Sequence, residues 1–238
     1  MKCKKTPVAT GPEISYDRAQ GSVRVLIEIL ENGNDTVLCV KPVGVLAQGE
    51  GEDCLPQLLA LQLGCAIYPV HRLDRAVGGV MVFAKTAAAA ARLSRAVQEG
   101  TMQKEYLAVL EKRPEADSGL LEDLLFHDRF KNKTFVVKRE RKGVKKAKLS
   151  YTVLEEADGK CLVHVKLYTG RTHQIRVQFA SRGWPLLGDG KYGARGKADA
   201  PALWSYALTI AGKRTCRLPE ETGAWEPFFP ALLRLFAE

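Results

Sequence analysis

The strongest constraint on the fold lies between Val80 and Leu110. There the apolar run VMVFAK (80–85) leads into TAAAAARLSRAVQ (86–98), and QKEYLAVL (103–110) follows. Alanine has the highest helix propensity, Thr86 suits an N-cap and Gly100 follows the end, so 86–98 predicts a helix. An apolar run this continuous predicts a strand buried on both faces, and 103–110 predicts a second strand. Thr36–Pro42 (TVLCVKP) is β-branched, apolar and closed by a proline, which reads as another strand. Residues 150–155 and 161–168 flank Asp158-Gly159, the turn chemistry of a hairpin, and Ala202–Ala211 adds a late strand. Leucines at helical spacing predict a short helix from about Cys54 to Leu63, and a helical period runs over Arg171–Arg182. The segment 22–31 (SVRVLIEILE) suits a strand or a short helix. Strands outnumber helices and most links are of hairpin length. This predicts an α+β fold with a mixed, largely antiparallel sheet and flanking helices. No Gly-x-Gly-x-x-Gly joins a strand to a helix and no Walker loop is present, which argues against a doubly wound nucleotide fold.

Residues 1–20 are polar, broken by Pro7, Gly11 and Pro12, and read as a flexible arm. Residues 21–238 are then long enough for one domain with a real core. The six cysteines, at 3, 39, 54, 65, 161 and 216, form no Cys-x-x-Cys pair and several sit in apolar runs. They read as reduced thiols of a cytoplasmic protein rather than a disulfide frame or zinc site. No apolar run approaches the ~20 residues of a membrane span, and the basic N-terminus lacks the apolar stretch of a secretory signal. Monomer is the default assembly.

The net charge of +9 points to a polyanionic partner, and its distribution sharpens that. Lys and Arg occupy ten of the twenty positions from Arg129 to Lys148, against the single acid Glu140. Phe130, Phe135 and Val136–Val137 interleave. The pattern predicts a basic hairpin at about 127–148, with Lys138, Arg139, Arg141, Lys142, Lys145 and Lys146 available to a phosphodiester backbone. A charge run standing alone would be a solvated surface.

Four further stretches concentrate chemistry: Lys41-Pro42-Val43-Gly44, HRLD at 71–74, KEY at 104–106, and YTGRTHQIRVQ at 168–178. Asp74 lies between Arg72 and Arg75 and runs into the strand that follows. In isolation it would serve to satisfy backbone N–H groups in that turn. Tyr106 in isolation would be an ordinary strand aromatic, and Arg176 a surface helix charge. His71 and His173 have no third ligand at metal spacing, so no metal is expected.

Together, and in this order, the four stretches resemble the RluA-type pseudouridine synthases. The family signature HRLDxxTSG is similar to HRLDRAVGG at 71–79, and GRTHQIRVH to GRTHQIRVQ at 170–178, the likeness covering about Thr36 to Leu208. The resemblance implies isomerisation of specific uridines to pseudouridine in ribosomal or transfer RNA, with no cofactor and with RNA held in a central cleft. It implies a catalytic Asp74, Arg176 as its ion-pair partner and Tyr106 stacking on the base. It also assigns Lys41 to support of the pocket, Arg72 and Arg75 to phosphates or the protein, and Arg171 and His173 to backbone or phosphate. The loop 185–193 (PLLGDGKYG) is expected at the pocket edge. Two departures stand out: Val77-Gly78 replaces the family's Thr-Ser, and Gln178 its final His. The chain is expected to be a short member without an S4-type domain.

The chemistry agrees with this reading. Breaking N1–C1′, rotating uracil and joining C5 to C1′ requires the base to leave its stack. An aspartate acting at the sugar must be ionised, and in a partly dry pocket a neighbouring cation favours that state. Two other classes remain open on sequence grounds. One is a non-catalytic RNA-binding protein on the same fold. The other is a glycoside-type hydrolase, which needs a second acid near Asp74, Glu105 being its best candidate.

Overall fold

The computed structural model describes residues 14–17, 22–49, 51, 54–196 and 198–237. In chain order these form β1 (Ile14–Asp17), β2 (Ser22–Val25), β3 (Ile29–Asn32), β4 (Thr36–Lys41), α1 (Leu55–Leu63), β5 (Tyr68–Pro69), β6 (Gly78–Ala84), α2 (Ala87–Gln98) and β7 (Gln103–Leu110). They continue with β8 (Ser118–Asp128), β9 (Lys133–Val137), β10 (Val144–Ala157), β11 (Lys160–Leu167), α3 (Gln174–Ala180), β12 (Leu203–Ile210), β13 (Lys213–Cys216) and α4 (Phe229–Ala237). Most of the expected N-terminal arm lies outside the described residues; within it, β1 pairs antiparallel with β2. The segment 22–31, open between strand and helix in the sequence, contributes β2 and the start of β3.

The chain divides into two compact units. One holds the described residues up to Met102 together with Ser205–Glu220; the other holds Gln103–Trp204 and the residues from Glu221 onward. In the first unit, β3, β4, β6 and β12 are successive neighbours, with β5 also on β6 and β13 on β12. β6 is buried at every position, as its unbroken apolar sequence predicts. Its Val80, Val82 and Ala84 pack with Leu38, Leu208 and the α2 residues Ala89 and Leu93. α2 starts where the sequence marks it: the Thr86 hydroxyl accepts from Ala89 N–H at 3.1 Å.

In the second unit the order is β7, β11, β10, β8, β9, each neighbouring pair antiparallel. Asp158 and Gly159 both take positive φ between β10 and β11, the turn that Asp-Gly favours. The strands on either side of loop 138–143 do not pair with each other, as a hairpin centred there would require. β8 runs between β9 and β10, and the hairpin turn lies at Asp128–Lys133 instead. The helix expected over Arg171–Arg182 is shorter, because His173 sits in the left-handed region (φ 54°) and α3 begins only at Gln174. The cysteine expectation is also corrected. Cys39, Cys54, Cys65 and Cys161 are free thiols, whereas Cys216 is disulfide-bonded. Among the described residues no helix is long and apolar enough to cross a membrane.

Candidate active site

In the first unit, Asp74 opens a tight turn. Val77 N–H donates to the Asp74 carbonyl at 3.0 Å, placing Asp at the first turn position, where it is favoured. Val77 and Gly78, the two departures in this stretch, are both buried, and Gly78 already belongs to β6. Gly79 cannot carry a side chain. Its φ is 118°, and a Cβ there would lie 2.3 Å from the Ser205 carbonyl oxygen and 2.6 Å from its nitrogen. His71, almost buried, accepts Val82 N–H on Nε2 at 3.1 Å, so this histidine anchors the turn to β6.

The turn is laced to the end of β4. Arg75 Nε donates to the Gly44 carbonyl at 2.8 Å, and Gly44 N–H returns to the Arg75 carbonyl at 2.8 Å. Lys41 is wholly buried, its ammonium donating to the carbonyls of Pro42 (2.8 Å) and Arg75 (3.2 Å). Burial pushes the Lys41 ammonium down from 10.5 to about 8, opposed by attraction to the Asp74 carboxylate and assisted by repulsion from Arg75. Sequence reasoning gave Lys41 a supporting role, and the structure makes it a buried cation within the field of Asp74. Arg72 is exposed, whereas Arg75, also exposed, is tied to the protein backbone.

In the second unit the turn before α3 is closed by Gln174. Its Oε1 accepts from the Thr169 hydroxyl (2.8 Å) and Arg171 N–H (3.0 Å), while its Nε2 donates to the Lys148 carbonyl (3.2 Å). Two residues along, Arg176 is only 7% exposed, which rules out a surface charge. Its Nε and Nη2 donate to the two carboxylate oxygens of buried Asp189, both at 2.7 Å. The guanidinium lies over the Tyr192 ring at 5.1 Å. The Tyr192 hydroxyl accepts Thr134 N–H at 2.8 Å and bonds His173 Nδ1 at 2.9 Å. Burial raises the Tyr192 phenol above its ordinary range. Asp189 and Tyr192 were missed as individual residues. They stand in GDGKYG, where the signal is an acid and an aromatic fixed between glycines within the loop flagged for the pocket edge.

Tyr106 on β7 is buried and lies opposite Val165 of β11. Side chains alternate along a strand, so Lys104 shares its face, and burial lowers the Lys104 ammonium. Glu105 faces the other way and bonds His164 Nε2 at 2.8 Å. Arg171 directs Nε to the Lys146 carbonyl at 3.0 Å, and His173 is buried, so both hold the protein together. Lys138, Arg139, Arg141, Lys142, Lys145 and Lys146 are all exposed. Arg141 covers the Phe126 ring at 4.8 Å and Lys146 pairs with Glu140 at 3.2 Å.

Comparison with known proteins bears on this arrangement. An uncharacterised RNA pseudouridine synthase of Aquifex aeolicus is 35% identical over 160 residues, covering 66% of this chain and 48% of that protein. Ribosomal large subunit pseudouridine synthase D of Nitrosomonas europaea is 33% identical over 185 residues, covering 74% and 53%. The chain thus spans about half the length of these two relatives. An uncharacterised RNA pseudouridine synthase of Zymomonas mobilis is 34% identical over 191 residues, covering 78% of this chain and 87% of that one. Among solved structures, human RNA pseudouridylate synthase domain containing 4 superposes with a TM-score of 0.68 at 24% identity, covering 88% of this chain and 92% of its own, a likeness of fold. The family model described as RNA pseudouridylate synthase matches residues 35–181, a span containing Lys41, Asp74, Tyr106 and Arg176, and the chain belongs to that family.

Proposed function

We propose that this protein isomerises uridine to pseudouridine within RNA, with Asp74 acting at the ribose. The observation that carries the reading is the turn at 74–77 with its buried Lys41, in a chain of the RNA pseudouridylate synthase family. The reaction is an internal transfer. N1–C1′ breaks, the uracil rotates, C5 bonds to C1′, and the C5 proton leaves as N1 gains one. In this proposal Arg176 supplies the permanent cation that pairs with Asp74, held in plane by Asp189. Tyr106 stacks on the uracil and reaches the C5 proton. Arg72 remains available to the RNA backbone, as do the exposed cations of 138–146. In this proposal no cofactor takes part. Two relatives, from Nitrosomonas europaea and Yersinia pestis, are named for the ribosomal large subunit, which makes ribosomal RNA the first substrate to test, ahead of transfer RNA. A monomeric, cytoplasmic protein is consistent with that role.

The hydrolase alternative is weakened because Glu105, its second acid, is engaged with His164. Tritium release from RNA labelled at uridine C5 tests the proposal directly. We expect release by the wild type and none by Asp74→Asn, with RNA binding preserved in the variant. A wild type that binds RNA but releases no tritium would instead establish a non-catalytic binder.

A further inference from the structure

We infer that Phe130, at the tip of the β8–β9 hairpin, is a stacking platform for an unpaired RNA base, an inference that rests on the RNA reading above. Phe130 is 104% exposed, so its ring has no protein partner and contributes nothing to the core. The tip does not need it, because other groups hold the turn. Asp128 Oδ1 accepts the N–H groups of Phe130 (3.0 Å) and Lys131 (3.1 Å). Asn132 takes φ 43°, and Lys191 Nζ donates to its carbonyl at 3.0 Å. The ring is thus presented on a pre-ordered turn, which lowers the entropy lost on capture of a ligand.

The surroundings select the ligand. Arg129 and Lys131 are the chain neighbours of Phe130 and are exposed, and Lys133 begins β9. The neighbouring acid, Asp128, is occupied with the turn backbone. A planar apolar face on a turn whose neighbouring residues are exposed cations suits a base with its phosphates, and every base offers a π-face. A duplex keeps its bases stacked internally, so the platform favours single-stranded or looped RNA.

The test compares a short oligouridylate with an RNA duplex of the same length. Phe130→Ala is expected to weaken oligouridylate binding about tenfold. The salt slope should stay unchanged, because no charge is removed. Phe130→Trp should bind as well as wild type and Phe130→Leu as poorly as Phe130→Ala, while duplex affinity stays level in all three. Unchanged affinity in Phe130→Ala, rescue by Leu equal to that by Trp, or an equal loss on the duplex would each overturn the inference. A wild type that binds neither RNA would overturn the RNA reading as well, so the two failures are told apart.

Discussion

Each unit of this protein sets a buried cation in the company of a carboxylate, and the two do so by opposite means. In the first, Lys41 is a compact ammonium held by two carbonyls, and burial has brought it to about 8. In the second, Arg176 grips Asp189 through two parallel bonds of 2.7 Å and lies on an aromatic ring. A guanidinium stays charged at any working pH and its fork fixes the plane of the carboxylate; an ammonium is a point charge that burial can make titratable. The first region can therefore change charge within the physiological range. The second is a fixed frame.

The largest effect expected from this contrast is on stability. Asp189→Ala removes the bidentate partner of a buried guanidinium and should cost about 3–5 kcal/mol in urea unfolding. A cost below about 1 kcal/mol, the size of an exposed pair, would show that the second unit is not the rigid frame described.

Lys41→Met addresses the other side. The folded protein releases the Lys41 proton near 8, whereas the unfolded chain holds it to 10.5. Between those values the unfolded state binds more protons, so the native state gains stability as pH rises. The burial penalty is fully present below the lower value and gone above the higher one. Relative to Lys41→Met, the wild type should therefore gain about 3 kcal/mol across that window, read from unfolding midpoints at successive pH values. Loss of the positive charge beside Asp74 should also lower turnover above about 8, a limb that Lys41→Met should lack. A flat difference in stability would place the Lys41 amine in contact with water and erase the contrast with Arg176.

Much of the frame was legible in the sequence because its signals are local. The alanine run with Thr86 marks α2, unbroken apolarity marks β6, and Asp158-Gly159 marks its hairpin. Partnerships across longer separations were less so. The guanidinium of Arg176 finds Asp189 thirteen residues on, in a loop without periodicity. The basic hairpin expected at about 127–148 takes in loop 138–143, whose flanking strands do not pair with each other. The true neighbour of both flanking strands is β8, whose sequence SGLLEDLLFHD carries leucines in pairs rather than in strict alternation. Gln178 reads as a departure near the motif, yet its fully buried side chain ties α3 to β8 through Asp123 at 2.7 Å. C-terminal α4 went unmarked, being short and preceded by a 3₁₀ turn.

The smallest effect expected concerns exposed charges, where neither burial nor a fork amplifies the interaction. Lys145 and Lys146 are adjacent on β10 and both exposed, but Lys146 is paired with Glu140 at 3.2 Å, whereas Lys145 has no ion pair among the described residues. Phosphate binding by Lys146 must first displace an acid, while Lys145 can release a counterion directly. Lys145→Gln should therefore reduce the salt slope of RNA binding by about one and Lys146→Gln by less. Removing the acid with Glu140→Gln should bring Lys146 level with Lys145. If the two lysines contribute equally with Glu140 in place, the surface pair is too weak to matter. Charge on this face would then act only through its sum, in contrast to the individually placed charges of Lys41 and Arg176.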